Sequence, residues 1–288
     1  MYPNLSTGAI GVEATFGEAV ELAARHGFGG IDFSIEEVEK IIADKGKAHV
    51  RKLLRDAGVR LSAWAPPVNW QDDRASWQAD LLLLARRAAL ARELGSDRAS
   101  TWILPCDNDR DFETNYAFHL ERLRPVAEGL AEQGCRLGLE WVGPKTLRDS
   151  RRYPFVHTMD GMLQLAADLG TGNVGLLVDI FHLYTSHADV AAVRDLPVAQ
   201  VVNVHVNDAI AGRTPDQQMD LERALPGETG VCDIAGFMQA LAAIGYDGPV
   251  TVEPFSQRLR EMTADDAVRA TADSLRRSWA LARLPFPG

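Results

Sequence analysis

Five residues of this sequence stand where side chains can do chemistry. Apolar runs of strand length stop at Glu140 (Leu137-Gly138-Leu139-Glu140), at Asp179 (Val174-Gly175-Leu176-Leu177-Val178-Asp179), at His205 (Val201-Val202-Asn203-Val204-His205) and at Glu253 (Val250-Thr251-Val252-Glu253). His182 follows Asp179 by three positions. Two glutamates, an aspartate and an imidazole offer mixed oxygen and nitrogen donors. That set suits one divalent ion, Mn²⁺, Co²⁺, Zn²⁺ or Mg²⁺, and excludes a soft thiolate centre. Three carboxylates crowded together would repel without a cation, and at least one would take up a proton. With a divalent ion their net charge is about −1.

Such residues meet only if the runs that carry them are neighbouring strands whose C-terminal ends share one side. The side-chain period of a strand is two. If Asp179 points inward, so do Leu177 and Gly175, while Val178, Leu176 and Val174 face covering helices. By the same count His205 shares its face with Asn203, and Glu253 with Thr251. Strands apolar on both faces belong to a parallel sheet buried on both sides.

The whole chain repeats this alternation. Strands are expected at residues 5–10, 30–34, 59–63, 99–104, 135–140, 174–179, 201–206 and 249–253. Helices are expected at 15–27, 36–57 with an interruption near Gly46, 76–94, 116–132, 158–169, 188–195, 233–244 and 263–284. Thr15 with Glu18 reads as a capping box, and Thr263 as the last cap. Residues 143–156 read as a polar loop, and 207–230 as the longest loop, a length usually tied to function. Eight strands alternating with eight helices imply parallel pairing with right-handed crossovers. The fold class is therefore α/β, one (β/α)8 TIM barrel spanning residues 1–288, with its active site at the C-terminal ends of the strands.

Bulk properties exclude other classes. The 288 residues are 46% hydrophobic and 24% charged, enough for a large core. A net charge of −10 argues against a nucleic-acid or anionic-membrane surface. Cys106, Cys135 and Cys232 lack paired spacing and read as free, buried thiols. No apolar run reaches membrane-spanning length. The first six residues lack a charged region followed by an apolar one, so no signal peptide is expected. The expected setting is the cytoplasm, and homo-oligomerisation is left open.

The segments Gly138-Leu139-Glu140-Trp141-Val142-Gly143, residues 173–182, His205-Val206-Asn207-Asp208, Leu225-Pro226-Gly227-Glu228 and residues 245–253 resemble the sugar phosphate isomerase/epimerase family of xylose-isomerase-like barrels. The inosose (2-keto-myo-inositol) isomerase type is the nearest pattern. The resemblance implies metal ligands at Glu140, Asp179, His205 and Glu253, and a substrate-oxygen contact at His182. It implies an isomerase or epimerase of a keto-sugar or keto-inositol, working by proton transfer through a metal-stabilised enediolate. Glu140 and Glu253 are the expected proton carriers. The same intermediate can expel a β-substituent, so a lyase or dehydratase of a keto-inositol or 3-keto-glycoside is the alternative.

Trp64, Trp70 and Trp102 lie at or beyond strand ends, where aromatic faces can line a polyol pocket or, equally, pack into the core. Arg223 and Glu228 lie in the long loop, placed to close over substrate, whereas Asp208 is expected to serve that loop's structure. Arg148, Arg151 and Arg152 form a charge run that reads as solvated surface. A DNA-repair endonuclease of the same superfamily would need further histidines. Here strands three and four lead instead into Trp64-Ala65-Pro66 and Leu104-Pro105-Cys106.

Overall fold

The computed structural model describes residues 1–287. Its main sheet is parallel throughout and runs, in chain order, through Tyr2–Leu5, Gly30–Ile31, Arg60–Leu61 continued by Ala63–Trp64, Arg98–Ile103, Arg136–Trp141, Val174–Asp179, Val201–Val206 and Pro249–Val252. The first strand pairs with the second and the eighth. Arg60–Leu61 pairs with the second strand and Ala63–Trp64 with the fourth. Because these two pieces are separated only by Ser62, the sheet closes on itself as an eight-stranded barrel.

Helices cover the outside, and their ends follow the local sequence. Thr15 makes both halves of a capping box with Glu18 ahead of Phe16–His26. Asp73, Asp111, Thr158, Asp233 and Thr263 each accept a backbone N–H at the start of their helices. Gly46 adopts φ 80°, open to glycine at little cost, and splits the second helical region into Ile35–Lys45 and Lys47–Ala57. At Gly175 a Cβ would stand 2.4 Å from the Gln200 carbonyl oxygen, so this inward position accepts no side chain.

Three expectations need correction. The first strand is Tyr2–Leu5 rather than 5–10, because Tyr2, Pro3 and Asn4 pair with Pro249, Val250 and Thr251. Residues 8–10 instead form a 3₁₀ turn that ends at Gly11. After Asp179 the chain turns at once into the helix Ile180–Thr185, and Val190–Asp195 is 3₁₀. The loop over 143–156 contains a short helix, Lys145–Arg148, and a strand, Tyr153–Pro154, paired antiparallel with Cys106–Asp107.

The inward faces agree with the period-two count. Leu177 and Asp179 are buried, Asn203 is buried on the face of His205, and Thr251 on that of Glu253. Inside the barrel, Asn4 donates to the Thr251 hydroxyl at 2.9 Å. The three cysteines are free and buried. Among the described residues no helix is long and apolar enough to cross a membrane.

Candidate metal centre

Sheet register assembles the four ligand candidates. His205 stands beside Asp179 across the sixth and seventh strands, and beside Thr251 across the seventh and eighth. Glu140 occupies the fifth strand one residue before its end, and Glu253 immediately follows the eighth. One donor atom from each of Glu140, Asp179, His205 and Glu253 lies within 4.8 Å of all the others. Donors about 2.1 Å from a shared ion stand about 3–4 Å apart. His205 Nδ1 already sits 3.4 Å from Glu253 Oε2 and 3.7 Å from Glu140 Oε1.

The electrostatics are those of a cluster that wants a cation. Burial, with the Glu253 and Asp179 charges, raises the Glu140 carboxyl well above its ordinary range against the pull of His205 and Arg223. Burial also raises Asp179, opposed by Arg223 and His205. Burial would raise Glu253 too, but His205 and Arg223 bring it below its ordinary value. Burial disfavours a charged His205, yet Glu253, Glu140 and Asp179 override it and push the imidazole up to about 10. Protons therefore collect where a metal ion would otherwise balance the charge. Glu140 Oε1 and His205 Nδ1 are buried without a hydrogen bond among the described residues, although they face each other. Unpaired donors of the right chemistry at the right spacing fit a divalent ion.

Arg223 is bound into this cluster. Its Nη1 donates to Asp179 Oδ2 at 2.8 Å and Glu253 Oε2 at 3.1 Å, and its Nη2 to Asp220 Oδ1 at 3.0 Å. The Phe181 and Phe255 rings cover the guanidinium at 4.6 and 4.8 Å. Phe255 reaches its place with φ 43°, a left-handed backbone that non-glycine residues rarely adopt. Four carboxylates, Glu140, Asp179, Asp220 and Glu253, against one guanidinium leave three negative charges, of which one divalent ion would balance two. Asn207 fixes the carboxylates further. Its Nδ2 donates to Asp179 Oδ2 at 3.0 Å, and its Oδ1 accepts from the Glu253 backbone at 2.6 Å.

His182 lies on the helix that Asp179 caps. Its Nδ1 accepts from the Gly143 amide at 3.2 Å, which places the proton on Nε2, 3.8 Å from Glu140 Oε1. Burial and the neighbouring Arg223 hold His182 well below its ordinary pKa, so it stays neutral.

Asp208 serves the loop, as expected. Its carboxylate accepts from the backbone N–H groups of Ala209, Thr229, Gly230, Val231 and Cys232. Its backbone pairs with Ala224 in both directions, next to Arg223.

A cavity of about 620 Å³ opens beside the ligands. Glu140, His205 and Glu253 form one wall, and Asp32, Trp64 and Trp102 belong to its lining as well. Of the aromatic residues expected there, Trp64 is buried and Trp102 is 51% exposed. His182 and Arg223 reach the site differently. They bond to or lie against the ligand candidates, and the cavity lining includes neither. Glu228 bonds to Arg258 at 2.8 Å. Arg151 and Arg152 are exposed, whereas His119, on the helix Phe112–Ala131, is buried against Phe155.

Sequence reasoning missed Asp32, Asn207 and Asp220. Asn207 was within reach, because it stands two positions beyond His205 on the same alternating face. Asp32 follows a strand of only two residues, too short to show a period. Asp220 gives no sequence signal beyond its spacing of three from Arg223.

The profile of the xylose isomerase-like TIM barrel family matches residues 20–278. The 3-dehydroshikimate dehydratase of Pseudomonas aeruginosa is 30% identical over 263 residues, covering 88% of this chain and 38% of that protein. The inosose isomerase of Bacillus subtilis is 25% identical over 154 residues, covering 52% of this chain and 50% of that one. The aligned part of this chain thus spans half or less of either curated relative. The structure of a xylose isomerase domain protein from Alicyclobacillus acidocaldarius superimposes with a TM-score of 0.88 at 30% identity, covering 98% of this chain and 99% of that one. With the closed barrel and the four converging donors, these matches make the chain a member of the xylose isomerase-like TIM barrel family.

Proposed function

We propose that this chain is a divalent-metal-dependent enzyme that moves a proton beside the carbonyl of a small keto-sugar or keto-inositol, and so isomerises or epimerises it. The observation that carries this reading is the convergence of Glu140, Asp179, His205 and Glu253 at one edge of the cavity. These four residues would hold Mn²⁺, Co²⁺, Zn²⁺ or Mg²⁺. A bound ion would polarise the substrate carbonyl and an adjacent hydroxyl, easing loss of the neighbouring proton.

The protein's own groups do the rest. Glu140 and Glu253 both border the cavity, and one takes the proton from carbon while the other returns it. Arg223 and Asn207 hold Asp179 and Glu253 in place, so little reorganisation is needed when charge develops on the substrate. His182, buried behind the cavity wall with its proton on Nε2 toward Glu140, acts on the site through that carboxylate. The free, buried cysteines suit a reducing cytoplasm, and the whole reaction is assigned to one domain over 1–288.

A second reading has its own support. The similarity to a 3-dehydroshikimate dehydratase over 88% of the chain favours elimination of a β-hydroxyl from the same enediolate. One experiment separates the two. The Mn²⁺-loaded protein is incubated in D₂O with ketoses, 2-keto-myo-inositol, 3-keto-glycosides and 3-dehydroshikimate. Deuterium gain with an unchanged carbon skeleton and no loss of water identifies an isomerase or epimerase. Loss of water or an aglycone identifies a lyase. Exchange with none of them removes the proton-transfer reading.

A further inference from the structure

The ligand candidates all come from strands five to eight, and the facing part of the cavity is built from the first four. There the Asp32 carboxylate is anchored by groups from two other strands. Oδ1 accepts from Asn4 Nδ2 at 2.7 Å and from the Ala63 amide at 3.2 Å. Asn4 Nδ2 also donates to Thr251 Oγ1, so both of its protons are used and the aspartate cannot swing away without breaking this chain of bonds. The Ser6 hydroxyl also stands within bonding reach of this carboxyl, and both residues line the cavity. The hydroxyl residues Ser6, Ser100 and Thr101 share the lining with it.

The charge of the lining is one-sided. Besides Asp32 it contains Glu36, Glu37, Glu140 and Glu253, and among the described residues no lysine or arginine. The nearby cation, Arg223, is committed to Asp179, Glu253 and Asp220. Even with a divalent ion bound, carboxylates outnumber cations here, so a carboxylate or phosphate on a substrate would enter a negative field, and burying a poorly paired anion costs on the order of several kcal/mol. A hydroxyl meets the opposite situation, because a carboxylate oxygen, a set of hydroxyls and aromatic faces all suit a polyol.

We propose that Asp32 is a specificity-determining residue that binds substrate hydroxyls through its carboxylate and restricts this site to uncharged polyol ketones. The inference rests on the reading of the site as one for keto-polyols, and it narrows that reading to substrates without an acidic group.

The test compares two cyclic ketones, neutral 2-keto-myo-inositol and carboxylated 3-dehydroshikimate, on the Mn²⁺-loaded wild type and Asp32→Asn. Asparagine keeps an Oδ1 that accepts from Asn4 and Ala63, so the barrel is preserved while the negative charge and one acceptor oxygen are lost. The wild type is expected to favour the neutral ketone in kcat/KM. In Asp32→Asn the KM for the neutral ketone rises about 10- to 100-fold, as for loss of a hydrogen bond to a charged group. The preference between the two ketones shrinks by at least about tenfold, with kcat for the neutral one changed far less and Mn²⁺ affinity unaltered. A wild type that prefers the carboxylated ketone, or a preference untouched by Asp32→Asn, overturns the proposal. Should neither ketone turn over, the proton-transfer reading falls, and selectivity is still decided by calorimetric binding of the same two compounds to both proteins. A wild-type preference for the neutral compound that Asp32→Asn erodes sustains the role of Asp32, and equal shifts for both remove it.

Discussion

The two sides of the barrel are built differently. Strands five, six and seven have six residues each, and the fourth and fifth pair over six positions. Strands two and three pair over only two, from Gly30–Ile31 to Arg60–Leu61. Strands five, six and seven carry three of the ligand candidates, and the fourth directly follows the four-residue strand eight. The short strands two and three soon end beside the cavity, at Asp32 and Trp64, whereas Trp102 stands inside the longer strand four. A metal site needs donors fixed within a few tenths of an ångström, which continuous ladders provide. Recognition of a substrate tolerates more freedom and can change from one relative to another, which suits loops. The contrast therefore separates a chemical side from a selective side.

The largest expected effect falls on the chemical side. Glu140→Gln and Glu253→Gln should each lower kcat by at least about 10³-fold while the barrel keeps its circular dichroism, since each removes a proposed proton carrier. Near-wild-type turnover in both would erase the distinction between the sides.

Asp208→Ala comes next. It leaves five backbone N–H groups without their carboxylate, so urea unfolding should show a loss of about 3–5 kcal/mol. Metal affinity should fall as well, because the neighbouring Ala224–Asp208 pairing positions Arg223. A stable variant with unchanged metal affinity would show that the loop holds itself.

The third effect concerns pH. Without an ion, the carboxylates push His205 up to about 10 and burial raises Glu140, so both tend to carry protons that metal must displace. Displacement becomes easier as pH rises. Apparent Mn²⁺ affinity should therefore drop by at least about tenfold per unit from pH 8 to pH 6, with protons released on binding. Calorimetry in buffers of different ionisation enthalpy reads the release directly, and a flat affinity would mean His205 is already neutral.

The smallest effect belongs to the selective side. Trp102→Ala should raise KM about two- to tenfold with metal affinity unchanged, as for one half-exposed aromatic contact. A change in metal affinity instead would show that the two sides are not separable.

The same contrast explains what could be read from the chain itself. Residues 174–179 and 201–206 show their strands and their terminal donors plainly, because each is an apolar run whose last inward position holds a ligand type. Glu140 and Glu253 follow the same rule within one residue of their strand ends. The first strand was shifted along the chain because Pro3 and Asn4 conceal a pairing supplied by the distant segment 249–251. Asp32 escaped for a related reason, since its anchors, Asn4 and Ala63, come from two other strands. Arg223 was noticed as a loop cation placed to meet substrate. Its bonds to Asp179 and Glu253, and the two phenylalanine rings that cover it, are products of folding that no local pattern reports.

The fastening of residues 207–232 by one buried aspartate limits how molecules reach the reaction centre. A segment tied by five amides on one carboxylate, and carrying the arginine that grips two of the donors, is poorly suited to swing as a door. Traffic is then left to the opposite rim, past the half-exposed indole of Trp102. Every incoming compound on that path passes the selective wall before it meets the proton carriers, so discrimination comes ahead of chemistry in time as well as in space.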